Sequence, residues 1–129
     1  MSETLNKILY VEDKADIQTV AKLALESVGG FEVMICGSGA EALEQAPKFK
    51  PDIFLLDVMM PGMDGPDTLV ALLKTEGLEN TPAIFLTAKA LPAEVERYKS
   101  LGALDVIPKP FDPMTLADQV KDIWSRRGG

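Results

Sequence analysis

Five polar residues of this chain lie just beyond apolar runs: Glu12 and Asp13 after the first, Asp57 after the third, Thr87 after the fourth and Lys109, followed by Pro110, after the fifth. Clustered carboxylates repel one another, so they either take up protons or hold a cation. With oxygen ligands only, the matching ion is a hard one such as Mg²⁺, whose remaining positions suit water and phosphate oxygens. A lysine ammonium and a threonine hydroxyl nearby are placed to hold such a phosphate. Asp57 ends a wholly apolar run and is the candidate nucleophile, with an aspartyl phosphate as its product. Taken singly, each residue fits a helix cap, a strand-end hydroxyl or a solvated charge equally well. The joint pattern carries the chemistry.

Composition excludes much else. The chain has 129 residues, with 13 Lys plus Arg against 20 Asp plus Glu, a net charge of −7, and no histidine. Without an imidazole there is no Ser/His/Asp triad, no His-ligated metal and no phosphohistidine of its own. Cys36, the single cysteine, rules out an internal disulfide and a cysteine zinc site, and it fits a reducing cytosol. The acid excess argues against nucleic acid as a primary partner. No apolar stretch reaches the length of a membrane span, and the opening MSETLNK lacks a signal-peptide core, so no membrane contact and a cytoplasmic location are expected. At 47% hydrophobic and 26% charged the composition is globular, and the length allows one domain, 1–129 with a core of about 6–126.

The elements that must position the polar set alternate along the chain. Short apolar runs at Ile8 to Val11, Phe31 to Cys36, Ile53 to Leu56, Ala83 to Leu86 and Leu104 to Ile107 are separated by helical patterns. Ile17, Val20, Ala21, Ala24, Leu25 and Val28 form one stripe; Leu69, Leu72 and Leu73 form another; Leu116, Val120, Ile123 and Trp124 form a third. Ser38 and Glu41 have capping-box spacing, and Pro66, Pro92 and Pro113 suit first-turn positions. Gly29-Gly30, Gly77 and Gly102 are placed to stop helices. The expected fold is α/β: a flavodoxin-like, doubly wound parallel sheet of five strands in the order 2-1-3-4-5 with five helices. The first, third and fourth strands belong at its centre. In such a sheet the ligand site lies beyond the carboxyl ends of the strands, where the five polar residues fall.

These residues carry a resemblance. Ile8-Leu9-Tyr10-Val11-Glu12-Asp13, Asp57-Val58-Met59-Met60-Pro61-Gly62-Met63-Asp64-Gly65, Leu86-Thr87-Ala88-Lys89-Ala90, Gly102-Ala103 and Lys109-Pro110-Phe111 together resemble a receiver domain of two-component response regulators over essentially the whole chain. The resemblance implies that Asp57 is the phosphorylated aspartate. It also implies that Glu12, Asp13, Asp57 and the Met59 carbonyl bind Mg²⁺, and that Thr87, Ala88 and Lys109 line the phosphoryl position. A cis Lys109-Pro110 bond is implied as well. The donor would be a sensor histidine kinase or a histidine phosphotransfer protein, and the output a downstream protein target bound by a monomer or weak dimer. The chain would catalyse its own phosphorylation and dephosphorylation and otherwise not be an enzyme.

Two departures from the family pattern stand out. Most receivers carry an aromatic three residues before the lysine, where this chain has Val106, so the switch and output residues are expected among Thr87, Val106 and Tyr98, with Phe111 as another substitute. Tyr98 equally fits a buried stripe with Val95 and Leu101. Met59 and Lys89 stand two residues beyond Asp57 and Thr87, where they would flank attacking water and slow hydrolysis; a merely solvated Lys89 is the plainer reading. Other functions on this fold fit less well. An aspartyl-phosphate phosphatase needs a D-x-D pair that Glu12-Asp13-Lys14-Ala15 does not supply, and an acidic pair would repel a flavin phosphate. A phosphorylation-independent interaction module and the receiver fragment of a longer regulator or hybrid kinase remain as alternatives to a stand-alone receiver, the expected type.

Overall fold

A computed structural model describes residues 5–126. Its strands are β1 (Lys7–Val11), β2 (Glu32–Cys36), β3 (Ile53–Asp57), β4 (Ala83–Thr87) and β5 (Ala103–Pro108), all parallel, in the order β2-β1-β3-β4-β5. Between and after them run α1 (Ala15–Leu23, continuing into a π-helical turn Ala24–Val28), α2 (Gly39–Phe49), α3 (Gly65–Leu73), α4 (Pro92–Ser100) and α5 (Leu116–Arg126). This is the expected doubly wound topology. Among the described residues no helix is long and apolar enough to cross a membrane.

Every residue of β3 and β4 is buried, as strands covered on both faces must be. Alternation splits their side chains between two layers. Ile8, Tyr10, Leu55, Ile84 and Leu86 pack with Ala21 and Leu25 of the first helix and with Leu116, Val120 and Ile123 of α5. Leu9, Val11, Phe54, Leu56 and Phe85 pack with Ala42 and Ala46 of α2, Leu69 and Leu72 of α3 and Tyr98 of α4.

The helix signals hold locally. Ser38 Oγ accepts from Glu41 N at 3.1 Å while Glu41 Oε1 accepts from Gly37 N at 2.7 Å, a reciprocal cap one residue wider than the usual box. Pro66 and Pro92 occupy first-turn positions. Pro113 does not: it lies in a turn ahead of α5, where Asp112 O accepts from the N–H groups of Thr115 and Leu116. In the first stripe Ala21, Ala24 and Leu25 are buried, but Val28 is 52% exposed and Val20 41%. The cause at Val28 is the π turn, in which Gly29 N reaches back five residues to Ala24 O and breaks the 3.6-residue period. Val20 lies instead at the edge of a surface groove beside Lys109 and Phe111.

Cys36 ends β2 fully buried, and its thiol is pushed up to about 12 by burial and then by the charge of Glu41. A thiol reagent at mildly alkaline pH is expected to leave Cys36 unmodified in the folded protein and to label it fully in denaturant; rapid labelling without denaturant would contradict this burial.

Candidate functional site

The parallel sheet delivers its strand ends to one edge. Glu12 follows β1, Asp57 closes β3, Thr87 closes β4 and Lys109 follows β5. Backbone hydrogen bonds lock these ends to their neighbours: Glu12 N donates to Cys36 O (3.0 Å), Val58 N to Leu86 O (3.0 Å) and Lys109 N to Thr87 O (2.8 Å). The Lys109-Pro110 bond is cis.

Of the side chains expected to act together, Glu12, Asp13, Asp57 and Lys109 meet. Lys109 Nζ donates to Asp57 Oδ1 at 3.0 Å and to Glu12 Oε1 at 3.3 Å, within a largely enclosed corner. Carboxylate oxygens of Glu12, Asp13 and Asp57 lie within 4.8 Å of one another. Glu12 and Asp57 are buried, and Asp13 is half-buried. Burial holds the Glu12 carboxyl above its usual range; the Asp57 charge adds to this, while the Lys14 N–H and Lys109 oppose it. Burial alone would lower Lys109, but its bond to Asp57 and the charges of Asp57 and Glu12 outweigh that and raise it, so the ammonium persists.

Two oxygens are left over. Asp13 Oδ1 and Asp57 Oδ2 are buried without a hydrogen-bond partner, Asp13 Oδ1 having only Lys14 Nζ at 3.8 Å. Orphaned anionic oxygens facing a cluster of like charge are what a cation would satisfy. Glu12 differs: its Oε2 accepts from Lys14 N at 3.1 Å and its Oε1 from Lys109. Thr87 is buried, and its Oγ1 accepts from Lys89 N at 3.1 Å, which orients the hydroxyl. Ala88 and Lys89 are exposed, and Met59 is 74% exposed at the rim. Beside Lys109 lies an apolar groove of about 410 Å³ whose walls include Ile17, Val20 and Phe111.

Of the expected switch residues, Tyr98 is buried, its ring 5.0 Å from that of Phe85. Val106 is half-buried against the same layer, in register with Phe85. The aromatic of this region thus comes from α4, and Phe111 packs on the opposite layer.

Three contributors escaped the reading of the sequence. Tyr10 donates from its hydroxyl to Glu12 Oε1 at 3.3 Å, and Gln18 Nε2 donates to Glu12 O. Strand alternation alone puts residues 10 and 12 on one face, so Tyr10 was findable. Gly65 is the third. A Cβ there would stand 2.5 Å from Asp57 O and 2.9 Å from Val58 Cα, so the β3–α3 loop can fold back on Asp57 only with glycine at this place.

Comparison with known proteins places the site in context. Residues 8–121 match the model of the response regulator receiver domain. The chain is 38% identical over 122 residues to the transcriptional regulatory protein CpxR of Escherichia coli K12, covering 95% of this chain and 50% of CpxR. It is 35% identical over 121 residues to the DNA-binding response regulator MtrA of Mycobacterium tuberculosis, covering 94% and 51%. The chain therefore spans about half the length of these curated relatives. Among solved structures it resembles the chemotaxis response regulator CheY4 of Vibrio cholerae (TM-score 0.85, 32% identity, 93% of this chain and 99% of that one). It also resembles the receiver domain of a histidine kinase from Syntrophus aciditrophicus (TM-score 0.78, 34% identity, 93% and 90%).

Replacing Gly65 by alanine is expected to cost about 1–3 kcal/mol of stability, read from urea unfolding, because backbone atoms rather than a flexible side chain must move. An unchanged midpoint would show that the loop does not need this close approach.

Proposed function

This chain belongs to the response regulator receiver domain family, and on that premise we propose that Asp57 accepts a phosphoryl group from a phosphohistidine protein and that the product changes the protein-binding face. The observation that carries the reading is the pairing of one Asp57 oxygen with Lys109 while the other is buried and unsatisfied. Asp13, Asp57 and Glu12 would hold Mg²⁺ through their carboxylates, with the Met59 carbonyl as a further ligand. When bound, the ion would neutralise charge on the phosphoryl oxygens and the acids.

In the transfer, an Asp57 oxygen forms the new bond to phosphorus as the bond from phosphorus to the donor's imidazole nitrogen breaks, and the imidazole leaves as a neutral ring after taking up a proton. Lys109, already on Asp57, pairs with a phosphoryl oxygen, and the Thr87 hydroxyl donates to another. Ala88, next to Thr87, borders that position. The apolar groove beside Lys109, walled by Val20 and Phe111, offers the donor a place to rest. Phosphorylation shifts a pre-existing equilibrium of loops and helices, with Thr87 the first group to respond. Val106 and Tyr98 would relay it toward α4.

The chain would act on itself alone and otherwise not be an enzyme. Its net charge of −7 supports protein rather than nucleic acid as the partner of this domain, and cysteine usage supports a cytoplasmic setting.

Intact-mass measurement after incubation with Mg²⁺ and acetyl phosphate is expected to show one added phosphoryl group, lost in Asp57→Asn and after chelation of Mg²⁺. No gain with any small donor or with a phosphohistidine protein would favour a phosphorylation-independent module. In the phosphorylated protein, Met59→Ala and Lys89→Ala are each expected to speed dephosphorylation severalfold. Rates equal to wild type would remove both residues from control of the attacking water.

A further inference from the structure

One buried polar group has no task in the transfer just described. Tyr10 is fully buried within the apolar layer that includes Ile8, Leu55 and Leu86. Phenylalanine would fill the same space without a polar atom to satisfy. The Tyr10 hydroxyl instead donates to Glu12 Oε1 at 3.3 Å. That oxygen also accepts from Lys109 Nζ at 3.3 Å, and the same ammonium donates to Asp57 Oδ1 at 3.0 Å. Burial, then the charges of Glu12 and Asp57, push the phenol far above its ordinary range, so it remains a protonated donor.

We propose that Tyr10 is a positioning residue of the phosphoacceptor site: its hydroxyl pins the Glu12 carboxylate, keeping that acid turned toward the cation position and leaving Lys109 on Asp57. The inference rests on the Mg²⁺-dependent reading above. Without the hydroxyl, Lys109 becomes the sole side-chain donor to Glu12 Oε1 among the described residues, and the ammonium is drawn from Asp57 toward Glu12. The length of Glu12 is part of the device. Aspartate, one methylene shorter, would withdraw its oxygens from the hydroxyl, so Tyr10 and Glu12 act as a matched pair two residues apart on one strand face.

The test is Tyr10→Phe in the full chain, with Mg²⁺ affinity measured by titration calorimetry and stability by urea unfolding. The dissociation constant for Mg²⁺ is expected to rise about three- to tenfold, the equivalent of one lost hydrogen bond, while the urea midpoint holds or increases. In a Glu12→Asp background the same substitution should add no further loss. An affinity equal to or tighter than wild type, an equal loss in both backgrounds, or a loss accompanied by a lower urea midpoint would each overturn the positioning role. Wild type that binds no Mg²⁺ would overturn the underlying reading and this inference together; wild type that binds it beside an unaffected variant overturns the inference alone.

Discussion

The structure is organised around one ammonium shared by two buried acids. Lys109 Nζ stands between Asp57 and Glu12, and without it these two buried acids would have no ion-pair partner among the described residues, the nearby Lys14 reaching only Asp13. Burying such groups unpaired is costly enough that proteins protonate them or supply a cation. Here one positive charge is built in and two oxygens stay unsatisfied, so the site is balanced only in part. Under the proposed function, a divalent cation and an incoming phosphoryl group would complete that balance.

Holding the ammonium there depends on features remote in sequence. Lys109 is 52 residues from Asp57 and 97 from Glu12, so a parallel sheet with covered faces must bring three strand ends together. The wholly buried β3 and β4 make that placement rigid. Gly65 lets the next loop close on Asp57, and the bond from Lys109 N to Thr87 O ties the fifth strand's end to the fourth's. Backbone order does the positioning, and the side chains add charge.

Strand positions, sheet order and the five polar residues were legible because each rests on a local pattern: an unbroken apolar run such as Ile53 to Leu56, or a polar residue just beyond one. What escaped depends on contacts across the fold or on departures from regular period. Val28 reads as part of a buried stripe only if the helix keeps 3.6 residues per turn, and the π turn removes that premise. Pro113 carries the right residue type for a helix start, but Asp112 organises a turn there first. Lys50 closes α2 in a left-handed conformation, φ 54°, that its residue type does not announce. Gly65 shows its purpose only when the strand end and its neighbouring loop are seen together, whereas Tyr10 needed only the alternation of its strand.

The groove beside Lys109 separates two kinds of heritable change. Its wall residue Val20 and the nearby Leu23 lie outside the buried core, so substitutions there disturb little of it, whereas the acids and the lysine are held by a buried sheet edge. Under the proposed docking of the donor in this groove, a lineage carrying this fold can drift in its choice of partner while its reactive corner stays fixed. Duplicated copies would diverge first along that wall, acquiring insulation from one another's signals before any change in chemistry.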